Sequence, residues 1–177
     1  AALRDFPKAL EYFQKAELQC VYITCDYPEV MFANMGIALH NTGDTKKGIE
    51  YLLKAQAILA ARGDKAALAN LEHLIATVYF SNNDLYNALT HNTESIRFAK
   101  ETKQYTVLAD AYRTSADLYH DLYDFEKAFE FYRDYLNILD SVRLEEQSRL
   151  QRLNQQRTLL AAAEGQIKFL ITRQNIK

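Results

Sequence analysis

Apolar and small residues recur at spacings of three and four through most of the chain, which marks one buried face on a helix. Gly36, Ala76 and Ala116 are small, and the residues three places on, Leu39, Tyr79 and Tyr119, are large. Met35, Ile75 and Ser115 stand one place before each small residue. No stretch shows the strict alternation of a half-buried strand. The pattern predicts seven helices, at about 5–22, 28–42, 45–61, 65–81, 85–101, 105–121 and from 125 to at least 163. Gly43 and Gly63 punctuate two of the turns, and Pro28 with Glu29 suits a first helical turn after Asp26.

The helices come in a repeat. Asp5, Asp44, Asp84 and Asp124 each open a five-residue pattern that ends on a tiny residue: Ala9, Gly48, Ala88 and Ala128. The tiny residues lie 39, 40 and 40 positions apart. An apolar residue follows each (Leu10, Ile49, Leu89, Phe129), and seven places on stand Ala16, Ala55, Ser95 and Tyr135. Each unit therefore reads as a helix, a short turn holding the Asp, and a second helix. The Asp carboxylate suits the turn because it accepts an orphan N–H at the helix start. The tiny residues let two helix backbones approach closely, and a large side chain there overpacks the contact by roughly 1–3 kcal/mol.

The last helix outruns its repeat. Nothing breaks it from Asp124 to Glu164, about 60 Å at 1.5 Å per residue, and Gly165 reads as a break or hinge. Charge changes too. Residues 143–177 hold seven basic and three acidic side chains, whereas the preceding 142 residues hold 14 basic and 20 acidic. The chain thus divides into a repeat body, 1–142, and a helical extension, 143–177. With Leu136 and Leu139 as a and d of a heptad, seven of twelve core sites to residue 174 are apolar. Arg143, Glu146, Arg157, Glu164 and Gln174 interrupt them, which permits either a homodimer through residues 143–177 or a helix packed back on the array.

Composition agrees with a soluble all-α protein. Hydrophobic residues are 49% and charged residues 25% of 177, with only 5 Gly and 2 Pro for tight turns. A net charge of −2 argues against nucleic-acid binding through bulk charge. No apolar run reaches the ~20 residues of a membrane span. No signal peptide is visible and residue 1 is Ala, so the chain is expected to be a fragment of a longer protein.

The Asp-x-x-Lys-Ala pattern of Asp5 to Ala9 and Asp124 to Ala128, the small residue seven places after the tiny one at Ala16, Ala55 and Ser95, and the preceding small–x–x–large pair resemble the tetratricopeptide repeat (TPR). The resemblance covers roughly residues 3–142: the second helix of one repeat, then three full repeats. It departs from the common form in its longer period, its lack of a closing Pro and its lack of Trp, near whose slot stand Phe32, Glu72 and Tyr112. Asn92 is a weak core residue in the third repeat. The long variant, and the run from Phe125 to Val142 with its Gln- and Arg-rich sequel, look like the sensor region of certain bacterial receptors. In that family a histidine kinase, cyclase or DNA-binding output follows. The resemblance implies a right-handed superhelical solenoid of antiparallel helix pairs with a long C-terminal helix. It also implies a periplasmic setting for a membrane-anchored receptor, and otherwise a cytoplasmic one.

In such an array the first helices of the repeats line a concave groove that holds a protein or peptide. The helical phasing puts Asn34, Ile37 and His40 of the first full repeat in it, then Asn70, His73, Thr77 and Phe80, then Asp110, Arg113, Asp117 and His120. TPR domains that clamp chaperone tails carry basic residues in the groove. The matching slots here are Ala33, Ile37, Leu74, Asp110 and Thr114, which disfavours that role. The function expected is a non-enzymatic binding and sensor module of a signal-transduction protein, with the long helix passing the groove's state onward. A free-standing TPR scaffold and a peptide-pheromone receptor region are the alternatives.

Other chemistry is sparse. The four His (40, 73, 91, 120) lack metal-ligand spacing, so no metal or cofactor is expected. Cys20 and Cys25 lack Cys-x-x-Cys spacing and read as small buried hydrophobes, or as a bridge outside the cytoplasm. The Tyr residues of the last repeat read mainly as core. No phosphate loop, nucleophile elbow or paired carboxylate site is present, so no enzyme is expected.

Overall fold

Asp44, Asp84 and Asp124 each start a helix as the sequence predicts. Their carboxylates accept the backbone N–H three residues on, from Lys47 at 3.3 Å, Asn87 at 3.2 Å and Lys127 at 3.2 Å. In the computed structural model the residues described are 6–8, 10–12, 15 and 27–174, with backbone alone at 145 and 165–174. Residues 6–8, 10–12 and 15 are helical. Cys20 and Cys25 lie outside the described residues.

Six helices follow in order: α1 Pro28–Asn41, α2 Thr45–Arg62, α3 Lys65–Ser81, α4 Leu85–Thr102, α5 Tyr105–Asp121 and α6 Phe125–Gln174. No strand occurs among the described residues. The protein is all-α, a run of helices joined by turns of two or three residues. Such turns force neighbours to run antiparallel. The most extensive packing is α1 on α2 and α3 on α4, with α4 on α5 and α2 on α3 joining them and α3 also touching α5.

The turns repeat their geometry at forty residues. Gly43, Asn83 and Tyr123 all take the left-handed conformation, with φ of 97°, 60° and 60°. After each, the N–H of Asp44, Asp84 and Asp124 donates to Leu39, Tyr79 and Tyr119, at 2.9 Å in all three. The turns between pairs form a second class. Gly63 and Lys103 are left-handed there, with φ of 68° and 57°.

Packing follows the predicted faces. Met35, Ile75 and Ser115 are all buried. Leu52, Ala55, Leu59, Leu68, Leu71, Ile75 and Val78 form one apolar cluster across α2 and α3. The small residues pack closest. Gly36, Gly48, Ala76, Ala88 and Ala116 are buried, and Ala128 is half-buried.

The chain divides into two compact units, Ala1–Leu136 and Asn137–Lys177. Every described residue of the second is helical. Gly165, expected to break the helix, lies within α6. One Gly costs only about 1 kcal/mol against Ala in a helix, and Ala161, Ala162, Ala163, Glu164 and Gln166 beside it are sound helix formers. The expectation of core tyrosines in the last repeat needs correction. Tyr112 is buried, but Tyr105, Tyr123 and Tyr132 are exposed.

Candidate functional site

A cleft of about 510 Å³ opens between α1 and α3, the first helices of two successive pairs. Val30, Ala33 and Asn34 line it from α1, and Ala67, Asn70, Leu71 and Leu74 from α3. Leu59 of α2 adds to the apolar lining, and Tyr27 and Asp64 also line it. The lining follows from phasing. On α3, residues 67, 70, 71 and 74 fall at the three- and four-residue spacing of one face.

Glu29 also lines the cleft. It is only 8% exposed. Its Oε1 accepts a 2.8 Å hydrogen bond from Arg62 Nη1, at the end of α2. Its Oε2 is buried and has no hydrogen-bond partner among the described residues. A buried carboxylate oxygen without a donor is unfavourable, because the water it gave up is not replaced. Sequence reading took Glu29 for a first-turn acid that suits the helix dipole. Its pairing with Arg62, thirty-three residues away, leaves no trace in local sequence.

Of the eleven residues assigned to a groove from sequence, Asn34 and Asn70 line this cleft. Asn70 Nδ2 donates to Gln104 Oε1 at 2.9 Å, and Gln104 Nε2 donates to Ala66 O at 2.9 Å, so this wall is tied to the α4–α5 turn. His40 is tied between Thr45 Oγ1 and Ser81 Oγ, at 3.1 and 3.2 Å. The Thr77 hydroxyl donates to its own helix at Leu74 O. Ile37 and Phe80 are half-buried, and Asp110, Arg113, Asp117 and His120 are exposed. Thr114, which the TPR resemblance puts at a groove slot, is buried instead. It sits on the α5 face that also buries Ala111, Ser115 and Leu118.

His73 turns inward. Its Nδ1 lies 3.3 Å from Asn92 Oδ1. Asn92 is fully buried, and its Nδ2 donates to Ala111 O at 2.7 Å and to Ser115 Oγ at 2.8 Å. What looked like a weak core residue is a satisfied polar link joining α3, α4 and α5. Burial holds His73 below the ordinary imidazole pKa. A second link fills a neighbouring slot. Glu72, 3% exposed, accepts from Gln56 and lies 2.7 Å from His91 Nδ1. His91 in turn stacks on Tyr79, with ring centroids 5.4 Å apart.

No group of three or more metal-ligating side chains is assembled among the described residues. No described helix is long and apolar enough to cross a membrane.

No family model and no curated protein matches the chain. Among solved structures it is similar to the crystal structure of BtubC (BKLC) from P. vanneervenii, with a TM-score of 0.69 and 17% sequence identity. The match covers 78% of this chain and 57% of BtubC, so the chain corresponds to little more than half of that protein. The likeness shows the fold: a helical, repeat-like arrangement.

Proposed function

We propose that the chain is a non-enzymatic, TPR-like protein- or peptide-binding module whose ligand lies in the cleft between α1 and α3. In this reading the hairpins stack as a right-handed superhelix, and the first helices of the pairs line its concave side. The observation that carries it is the pairing of apolar walls with a half-partnered buried carboxylate. Leu71, Leu74, Ala33 and Ala67 offer apolar area. Asn34 offers its amide to a ligand backbone, and Asn70, whose Nδ2 donates to Ala66 O and Gln104 Oε1, offers its Oδ1. Glu29 Oε2, buried in the cleft wall, has no donor among the described residues, which favours as ligand an extended peptide presenting a Lys, an Arg or an N-terminal amine beside apolar residues.

The signalling setting belongs to the same proposal. A receptor's sensor arm would use the continuity of α6, Phe125–Gln174, to pass a change in the array onward. A free-standing scaffold needs the groove alone.

A displayed library of random peptides tests the binding reading. The expected result is enrichment of sequences with one cationic group next to apolar residues. Binding should fall about ten-fold or more in Glu29→Gln and in Leu74→Arg. Absence of any enriched sequence, or enriched peptides indifferent to both substitutions, would overturn it.

A further inference from the structure

Helix α6 carries an exposed seam at the a and d positions of its heptad. Leu136, Leu139, Leu150 and Leu153 are between 41% and 51% exposed. Four half-exposed leucines on one stripe are an unpartnered apolar face. Two charged residues, Arg143 and Glu146, sit in the middle of that stripe at an a and a d position. Both are exposed. Arg143 pairs along its own helix with Asp140 at 2.8 Å, and Glu146 with Arg149 at 3.7 Å.

The order of these residues selects a partner and a direction. A parallel pair of identical helices sets each a or d residue against its own copy. Arg143 would then meet Arg143 and Glu146 would meet Glu146, so like charges would fill two successive layers. An antiparallel pair sets a against d. With the two-fold axis between residues 144 and 145, Arg143 faces the partner's Glu146, and by symmetry Glu146 faces the partner's Arg143. The same register sets Leu139 against the partner's Leu150, and Leu136 against the partner's Leu153. A slip of one heptad either way sets Arg143 and Glu146 against leucines. At the flanking positions Asp140 meets the partner's Gln147, and Val142 meets the partner's Arg149, with no like charges opposed.

We infer that α6 docks a second copy of this chain as an antiparallel two-helix coiled coil centred between residues 144 and 145. The charged pairs at the centre fix the register, as polar groups in a coiled-coil seam do. The interface is isologous and closes at two copies. This inference stands on the seam of α6 and is independent of what the α1–α3 cleft binds.

The test uses full-length chains carrying Cys20→Ser and Cys25→Ser. One chain adds Leu139→Cys and the other Leu150→Cys, and the two differ in tag mass. On oxidation of the mixture, the expected product is the mixed disulfide, several-fold above either homodisulfide. Homodisulfides formed by each chain alone would mean a parallel pair and overturn the inference. A chain that sediments as a monomer and forms neither product would also overturn it and leave the seam to another protein's helix. Charge exchange is the second measurement. Arg143→Glu alone, and Glu146→Arg alone, should each raise the dimer Kd roughly ten-fold or more. The double variant should recover most of that loss, because the opposite charges meet again. Failure of the double variant to recover would sink the antiparallel register.

Discussion

Gly36 and Gly48 meet backbone to backbone where α1 crosses α2. A Cβ added to Gly48 would lie 2.7 Å from Gly36 O and 3.1 Å from His40 N. A Cβ added to Gly36 would lie 2.6 Å from Leu52 Cγ and 2.7 Å from Gly48 O. The obstacle at Gly48 is backbone, which has no rotamer to turn away. The later pairs hold Ala at the equivalent positions, Ala76 with Ala88 and Ala116 with Ala128. The first hairpin is therefore the one that requires glycine at its crossing.

Gly48→Ala should destabilise the protein by about 2–3 kcal/mol, the upper part of the overpacking range. For a chain of this length that lowers the melting midpoint by roughly 5–10 °C. Thermal unfolding followed by circular dichroism measures it. A midpoint unchanged in Gly48→Ala would show that the helices separate without loss and that the contact is not limiting.

Local rules carried most of the helical pattern. Asp44, Asp84 and Asp124 announce their helices through one hydrogen bond each, and the small residues at 36, 76 and 116 mark the crossing face. These effects act over three or four residues, so sequence displays them. The cleft was legible only where phasing sufficed, at Asn34 and Asn70. Glu29 was missed because Arg62, which holds it, comes from another helix. His73 was placed in the groove by phasing, yet its Nδ1 faces Asn92 on α4. Nothing local distinguishes an Asn in a core slot from an Asn with three partners. Gly165 misled for the opposite reason, since its weak local penalty is outvoted by its neighbours.

His73 makes stability depend on pH with a definite sign. Burial lowers its pKa in the folded protein below the ordinary value of 6.5, and this outweighs the hydrogen bond to Asn92 and the attraction of Asp110, which raise it. The unfolded chain therefore binds a proton first as pH falls. The contribution is fully present above about pH 6.5 and is lost as pH falls toward the folded-state value. Melting midpoints measured from pH 7.5 downward should decline across this window by more in the parent than in His73→Gln. Equal slopes in the two proteins would rule His73 out as the group responsible.

Glu72 and His91 form the other polar link, with Gln56 completing it. His91→Leu removes the donor to Glu72 Oε2 and leaves a carboxylate that is 3% exposed with one partner lost. The expected loss is about 3 kcal/mol, because the stranded oxygen keeps its desolvation penalty. Glu72→Leu combined with His91→Leu should recover much of it, since both polar groups then leave together. Urea unfolding of the single and double variants checks this. A double variant less stable than either single would mean that the link contributes more than it costs to bury.

Lys103 is left-handed, with φ of 57°, at the turn where Gly63 stands forty residues earlier with φ of 68°. An L side chain in that region costs roughly 1–2 kcal/mol through the clash of its Cβ with the following carbonyl. Glycine avoids the clash but gives up about 0.5–1 kcal/mol to the greater freedom of the unfolded chain. The exposed Lys103 side chain has no hydrogen-bond or ion-pair partner to lose among the described residues. Lys103→Gly should therefore stabilise the protein by about 0.5 kcal/mol, a rise in melting midpoint of roughly 1–2 °C. Tyr123, also left-handed, is a poorer site for the same change, because its ring packs edge-on against Phe125 with centroids 6.2 Å apart. Replacing it with Gly loses that contact along with the strain. The two substitutions are best compared in one set of melts, where Lys103→Gly should melt above the parent and above Tyr123→Gly. A Lys103→Gly protein that melts below the parent would show that the lysine's reduced unfolded-state freedom outweighs its strain in the turn.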